Sequence, residues 1–207
     1  STDDNVLTIG ATVAPPTLDL VSNAAAAIPQ VLLYNVYETL TKINEDGSVS
    51  PLLAESWQAS PDLKTYTFKL RKGIKFHNGE PFDSAAVKFS FDRAAAPTST
   101  NKDKSLYQAF ASVTAPDPET VVVALKYSEP NLPFLLGQAT GSIVEPKSAP
   151  TDATQPVGTG PYTLGSWAKG SSITLVKWPD YRNAAAIKLA KVTIRFIGDP
   201  AAQVAAL

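Results

Sequence analysis

The sequence predicts an α/β lobe that carries an inserted β-rich subdomain. Three observations lead to this fold class. A β-branched strand and a helical pattern open the chain, a strand-rich middle section follows, and two further strands and a helix start close it. There is no internal repeat and no low-complexity tract in the sequence, so a repeat architecture is not expected.

The first strand and the first helix are predicted within residues 6–43. Residues 6–9 form a β-branched run that ends at Gly10, which is typical of a strand. A loop containing Pro15-Pro16 follows. From Pro29 to Ile43 apolar residues recur at helical spacing, which predicts a helix with one buried stripe. The stripe consists of Leu32, Val36, Leu40 and Ile43.

The middle section opens with the clearest pattern in the chain. Apolar and polar residues alternate over Thr65–Arg71, which predicts a half-buried strand. Lys72-Gly73 and Asn78-Gly79 predict two turns, with the alternation continuing between them. Asp83 or Ser84 is a suitable cap for the next helix, which carries Val87 and Phe91 and ends before Pro97.

The rest of the chain predicts further strands joined by loops. Thr120–Lys126 is rich in valine and predicts a strand that is covered on both faces. A short helix is expected around residues 132–136, a loop over 145–156, and strands over 173–178 and 192–196. Asp199-Pro200 predicts a helix start. Few residues follow it before Leu207, so we expect a truncated chain.

Composition excludes several classes of protein. The chain has 207 residues, of which 44% are hydrophobic, and this is enough for a sizeable core. The net charge is −1, whereas a nucleic-acid binder normally carries a basic excess. No stretch approaches the roughly 20 apolar residues that span a bilayer. Cysteine is absent, which removes disulfides, thiolate metal sites and cysteine nucleophiles.

Two features of the sequence bear on catalysis or cofactor binding: the lone histidine and a glycine-containing segment. His77 is the one histidine; a hydrolase would have to use it, yet its neighbours are explained by a turn. One histidine without cysteine offers zinc no ordinary ligand set.

Gly158-Thr159-Gly160 begins like a dinucleotide motif but enters a strand instead of opening a helix, so a glycine-containing crossover between subdomains is favoured. We expect no cofactor, no metal and no enzymatic activity.

A long ordered set of residues resembles the family 5 extracellular solute-binding proteins, the peptide- and nickel-binding components of bacterial ABC importers. The set comprises Leu53–Trp57, Thr65–Arg71, Gly73–Phe82, Val87–Phe91 and Val157–Tyr162, with Thr17–Asp19 and Tyr34–Leu40 near the start. Two positions depart from the family pattern. Ala86 stands where an acid is usual, and Trp178–Arg182 replaces an Asn-Pro-x-Tyr-Trp motif.

The resemblance implies a lobe of the periplasmic-binding-protein type II kind, followed in the family by a second lobe that this chain lacks. It places residues 1–45 and 165–207 in one subdomain and inserts residues 46–164. The implied function is capture of peptides outside the cytoplasm, by a protein with or without a lipid anchor, and their delivery to membrane permease subunits. Nickel chelates or oligosaccharides are alternative solutes of the same class.

The resemblance also implies solute contacts on this lobe. They are Pro16, Thr17 and Leu18 in the loop after the first strand, Tyr107 at the start of a helix, and Gly141 and Ser142 near a strand end. Glycine at position 141 would let a ligand approach the backbone. A packing role is an open alternative for each of the six. Loss of the second lobe would leave an apolar face bare, which could pair two copies of the chain.

Overall fold

The computed structural model describes residues 5–198 and shows a mixed α/β chain. Within that range there are ten strands and four short or medium α-helices. The strands are β1 (Val6–Ala11), β2 (Thr41–Ile43), β3 (Val49–Pro51), β4 (Ala54–Ala59), β5 (Thr65–Leu70), β6 (Phe110–Asp117), β7 (Thr120–Leu125), β8 (Tyr162–Ala168), β9 (Ser172–Lys177) and β10 (Lys191–Phe196). The helices are α1 (Ala27–Leu32), α2 (Ser84–Ala95), α3 (Lys104–Gln108) and α4 (Leu132–Leu135). None of the described helices is long and apolar enough to cross a membrane.

The first sheet joins the beginning of the chain to its later part. Its strand order is β1-β10-β9-β8, with β1 parallel to β10 and the other pairs antiparallel. The loop after β1 and helix α1 pack on this sheet through Leu18, Ile28 and Leu32, which meet Ile173 and Ile194 in one buried cluster. The apolar pattern of two distant segments therefore builds a single core.

The second sheet is the strand-rich middle section. Its order is β4-β5-β7-β6 and every pair is antiparallel. The predicted alternation in β5 is confirmed, because Tyr66, Phe68 and Leu70 are buried and the residues between them are not. Helix α2 begins as predicted, with the Asp83 side chain accepting a hydrogen bond from the Ala86 amide at 3.2 Å.

The predicted helix over Pro29–Ile43 is wrong in extent. Helix α1 ends at Leu32, Tyr34 adopts a left-handed conformation (φ +64°), and Thr41–Ile43 is a strand. Tyr34 is fixed by distant partners, since its hydroxyl donates to the Gly137 carbonyl and accepts from the Ile43 amide. Of the predicted stripe, Leu32, Val36 and Leu40 are fully buried and Ile43 is half-buried, but only Leu32 lies in the helix.

Strand β7 was predicted to be covered on both faces, and this prediction is wrong. Val121, Val123 and Leu125 are buried, whereas Val122 and Ala124 on the other face are half-buried. Strand β7 lies between β5 and β6 in the sheet, so both edges are paired while one face is only partly covered. The valine-rich sequence favours a strand, and every second residue contributes to the one buried face.

The crossover glycines lie against the backbone of the segment after α1. A Cβ on Gly158 would stand 2.1 Å from the Val36 carbonyl oxygen, and one on Gly160 would stand 2.3 Å from that of Asn35. The Gly160 amide donates to the Val36 carbonyl at 2.9 Å. Close backbone approach therefore explains both glycines.

The proposed division into subdomains stays a prediction. Strand β8 begins at Tyr162, before the expected boundary at residue 165. The expected helix at Asp199-Pro200 lies outside the described residues.

Candidate functional site

The loop between β1 and α1 carries the first group of predicted contact residues. Pro16 is exposed and Thr17 is half-buried, whereas Leu18 is fully buried in the core. The Leu18 amide donates to the Ala153 carbonyl at 3.0 Å, and the Thr17 hydroxyl donates to the same oxygen at 3.4 Å. The loop is thus anchored on Ala153, and Pro16 is the member of this group most open to a solute.

Tyr107, in α3, is a core residue of this lobe. Its side chain is 1% exposed, and its ring packs against Phe91 and Phe110 with centroid separations of 5.6 and 5.4 Å. Burial raises the pKa of its hydroxyl far above the usual range. A solute can reach Tyr107 only if its neighbours move, and a contact there remains a proposal.

Gly141 and Ser142 are buried as well. A Cβ on Gly141 would stand 2.3 Å from the Leu136 carbonyl oxygen, so the space left by the missing side chain is occupied by the chain itself. Ser142 is 1% exposed and its hydroxyl has no hydrogen-bond partner. A buried unpaired hydroxyl is uncommon in native proteins, and it makes Ser142 the more suitable of the two for a polar ligand.

Two hydrogen bonds bring the three predicted segments together. The Thr100 hydroxyl donates to the Ser22 carbonyl at 2.8 Å, which joins the approach to α3 to the loop after β1. The Thr140 hydroxyl donates to the Asp103 carboxylate at 2.5 Å, which joins the residue before α3 to the turn that contains Gly141. These bonds link the segments that contain the predicted contact residues, and a common solute site formed by the six residues stays a prediction.

A buried acidic side chain lies beneath the loop after β1. Asp152 is 2% exposed, and neither of its carboxylate oxygens has a hydrogen-bond partner. The Arg93 guanidinium stands 3.6 Å away, too far for a normal hydrogen bond. Burial, with a smaller effect of the charge on Asp19, raises the pKa of Asp152 to about 7, against the opposing effect of Arg93.

Tyr37 is the neutral neighbour of this carboxyl group. It is 1% exposed, and its hydroxyl has no hydrogen-bond partner. Burial, followed by the charges of Asp152 and Asp19, holds the pKa of this hydroxyl well above its ordinary value. Tyr37 is therefore neutral at all physiological pH values.

A second buried network is centred on Glu38. Arg182 donates to both carboxylate oxygens, at 2.7 and 2.9 Å. The Tyr181 hydroxyl donates to one oxygen at 3.0 Å and the Thr159 hydroxyl to the other at 2.9 Å. Glu38 is 2% exposed, so a fully bonded ion pair fastens the crossover and the loop after β9 to the segment after α1.

Both ring nitrogens of His77 contact the backbone of the same crossover. One ring nitrogen lies 2.8 Å from the Gly160 carbonyl oxygen, and the other accepts from the Gly158 amide at 3.3 Å. The ring meets Trp178 edge-on, with centroids 4.7 Å apart. Burial lowers the pKa of His77. With both nitrogens engaged by backbone, the histidine has a structural role in this structure.

A cleft of about 330 Å³ lies beside the Glu38 network. Lys75, Trp178, Asp180 and Arg182 contribute to its walls. Glu38 engages one N–H group from each terminal nitrogen of Arg182, which neutralises the charge of this guanidinium at the cleft wall. Over residues 5–198, no three histidine, aspartate or glutamate side chains are grouped so as to bind a metal ion.

Sequence reasoning missed both buried networks. Glu38 falls within the helix that was predicted over Pro29–Ile43, and Asp152 falls within the loop predicted over 145–156. The departure from the family pattern at Trp178–Arg182 was the one available signal, because Arg182 is the residue that pairs with Glu38. Nothing in the sequence marks Asp152 as buried.

The chain is similar in sequence to known bacterial solute-binding proteins. A family model described as bacterial extracellular solute-binding proteins, family 5 Middle, matches residues 48–207. Glutathione-binding protein GsiB of Escherichia coli (strain K12) is 33% identical over 181 residues, which cover 86% of this chain and 35% of that protein.

Two solved structures share the fold over nearly the whole chain. AgaA from A. tumefacien R10, in complex with agropinic acid, superposes with a TM-score of 0.91 at 32% identity, covering 98% of this chain and 42% of that one. DppA from Helicobacter pylori, in complex with peptide STSA, superposes with a TM-score of 0.87 at 28% identity, covering 98% of this chain and 44% of that one. The chain thus spans less than half the length of these relatives.

The fold and the match over residues 48–207, which is more than half of the chain, agree with one another. The chain belongs to the bacterial extracellular solute-binding proteins, family 5.

Proposed function

We propose that the protein captures peptides outside the cytoplasm and delivers them to the membrane permease of an ABC importer. The observation that carries this proposal is the likeness to DppA, which was solved with peptide STSA and superposes over 98% of this chain. The protein has no catalytic step in this role. Its work is to bind, enclose and release a solute.

The proposed contacts are Pro16, Thr17 and Leu18 in the loop after β1, and Tyr107, Gly141 and Ser142 beside it. Peptide backbones offer the same donors and acceptors whatever their side chains, so backbone pairing gives affinity with little selectivity. The exposure of Pro16 supports a role at the solute surface, and the unpaired hydroxyl of the buried Ser142 supports a polar contact that forms when its neighbours move. Leu18 and Tyr107 act from beneath that surface, because both are buried.

A second candidate function is capture of a small non-peptide solute by the same machinery. The likeness to AgaA, solved with agropinic acid, favours it at 32% identity. Nickel chelates and oligosaccharides are further alternatives of this class. The identity of a solute bound to the purified protein separates these possibilities from peptide capture.

The competing proposal of a hydrolase would rest on His77. Its ring nitrogens are bonded to the Gly158 and Gly160 backbone, which supports a structural role instead. Substitution His77→Asn should lower stability and leave solute affinity within about twofold at a temperature where the variant is folded. Loss of a measurable hydrolytic turnover in that variant would favour the enzyme.

Partners and location follow from the same proposal. The protein would work outside the cytoplasm, with or without a lipid anchor, and dock on permease subunits. Dimer formation is a separate proposal. It is supported by Val6, Leu7 and Ile9, which are each about two-fifths exposed on β1, at an edge of the first sheet. Sedimentation of the 207-residue chain should show a dimer; a monomer at all concentrations would refute it.

Calorimetry with a peptide mixture tests the function. We expect the gene product with the length of the relatives to bind peptides, and the 207-residue chain alone to bind them much more weakly, because half a cleft buries only part of a ligand. Equal affinities would refute the requirement for a second lobe. A stop codon directly after Leu207 would refute it as well.

A further inference from the structure

We propose that Arg93 and Asp152 form a positioning ion pair: Arg93 on α2 holds Asp152, and with it the backbone acceptor on which the loop between β1 and α1 rests. The pair fixes this loop relative to the second sheet. Its effect on solute affinity rests on the proposed function, since Pro16 and Thr17 lie in that loop. Its effect on the position of the loop does not.

The first support is that each member of the pair is the counter-ion of the other. Nη1 of Arg93 stands 3.6 Å from a carboxylate oxygen of Asp152, whose side chain is 2% exposed. Both of these atoms are buried, and neither has a hydrogen-bond partner. Among residues 5–198, Asp152 supplies the one carboxylate within 4 Å of an Arg93 nitrogen. A buried charge without a counter-ion is costly, so separation of the two side chains is opposed from both sides.

The second support is that Arg93 is the strongest of the charges that face Asp152. Burial is the largest cause of the raised pKa of Asp152, and the attraction of Arg93 comes next, in the opposite direction. Asp19 in the loop and Glu145 in the preceding segment repel the carboxylate, and each effect is smaller than that of Arg93. Once ionised, the carboxylate is therefore held chiefly by the guanidinium.

The third support is a second bond from α2 to the segment that precedes Asp152. The Ser90 hydroxyl accepts a hydrogen bond from the Val144 amide at 3.1 Å. Ser90 and Arg93 are three residues apart, which makes them neighbours on one face of the helix. The helix itself packs in the core of the second sheet through Phe91. The segment from Val144 to Asp152 is thus attached to the second sheet near both of its ends.

The fourth support is the attachment of the loop to the residue that follows Asp152. The Leu18 amide and the Thr17 hydroxyl both donate to the Ala153 carbonyl, at 3.0 and 3.4 Å. Leu18 belongs to the core of the first sheet. Displacement of Asp152 therefore moves the acceptor of the loop, and the ion pair couples the position of the loop to α2.

Hydrogen exchange of the 207-residue chain at pH 8, read by mass spectrometry at residue resolution, tests the proposal. The Leu18 amide reports on the loop. The Leu70 amide, which donates to the Glu119 carbonyl at 2.7 Å in the second sheet, reports on stability elsewhere. Arg93→Met keeps a long side chain without the charge. In this variant we expect the protection factor of Leu18 to fall about tenfold further than that of Leu70, as for residues in contact.

Two further variants show whether the charge of Arg93 is responsible. Arg93→Lys restores a cation at this position, so Leu18 protection should stay within about threefold of the wild type. The control Lys88→Met removes an exposed cation from the same helix and should leave both amides unchanged. Equal losses at Leu18 and Leu70 in Arg93→Met, no loss at either, or the same loss in Arg93→Lys would each overturn the proposal.

The double variant Arg93→Met, Asp152→Asn covers the case in which Arg93→Met does not fold. It leaves no uncompensated buried charge, so Leu70 protection should return to the wild-type value while Leu18 protection stays about tenfold lower. Recovery at both amides would overturn the positioning role. Absence of peptide binding by the gene product with the length of the relatives would refute the proposed function and leave the Leu18 result standing.

Discussion

Removal of Arg182 is predicted to be among the most damaging single changes to this protein. Arg182 gives two hydrogen bonds to Glu38, whose side chain is 2% exposed, while its own side chain is 25% exposed. In Arg182→Ala the Glu38 carboxylate keeps the Tyr181 and Thr159 hydroxyls but loses its counter-charge. Breaking a buried pair from one side typically costs about 3–5 kcal/mol. Because Arg182 is partly solvated, we expect a loss of about 3 kcal/mol in the free energy of unfolding.

The assay is urea denaturation followed by tryptophan fluorescence and circular dichroism. The double variant Glu38→Gln, Arg182→Met removes both charges and should recover most of the lost stability, because no uncompensated charge remains buried. The exposed pair Lys88–Asp92 is the control, since its side chains are 46% and 54% exposed. Lys88→Ala should change stability by less than about 1 kcal/mol.

A loss below about 1 kcal/mol for Arg182→Ala would refute the reasoning, because that is the range of an exposed pair. Failure of the double variant to recover stability would show that the packing of the two side chains matters more than their charges. Either result would also remove the explanation of why arginine stands here in place of the family's tryptophan.

Three further changes test other parts of the fold. Gly158→Ala should cost several kcal/mol or prevent folding, since its Cβ would stand 2.1 Å from the Val36 carbonyl oxygen; wild-type stability would refute the close packing. Asp83→Ala should cost about 1 kcal/mol by removing the cap of α2, and an unchanged urea midpoint would count against that cap. Lowering the pH from 7 to 5 should destabilise the wild type relative to His77→Asn, because burial lowers the pKa of His77 and the folded state resists its protonation. Parallel thermal unfolding curves of the two proteins at both pH values would contradict this.

The elements that were predicted correctly depend on local pattern. Strand β5 alternates with period two, and α2 carries its own cap in Asp83; both signals lie within a few residues of the structure they specify. The turn at Asn78-Gly79 is of the same kind, with Gly79 at φ +85°.

The prediction of a helix over Pro29–Ile43 was wrong because the conformation of this segment depends on contacts that are distant in the sequence. Its apolar spacing fitted a helix, but the left-handed Tyr34 is stabilised by hydrogen bonds to Gly137 and Ile43. The partner at Gly137 lies 103 residues away in the sequence. A pattern within one segment contains no information about such a contact.

The location of the solute site stays a prediction from the family resemblance, which indicates the loop after β1 and the region of Gly141. Hydrogen bonds link each of these segments to the approach to α3. Burial of Leu18 and Tyr107 depends on tertiary packing, since Leu18 lies in the core of the first sheet and Tyr107 in that of the second. The same is true of Asp152, whose neighbours Arg93 and Tyr37 come from separate elements.

The most direct test of the central claim is mass spectrometry of solutes that co-purify with the protein expressed at the full length of its relatives. The account predicts one or more peptides bound under native conditions and released on denaturation. A purified protein that carries a non-peptide solute, or that carries none and takes up no peptide from a mixture, would contradict it.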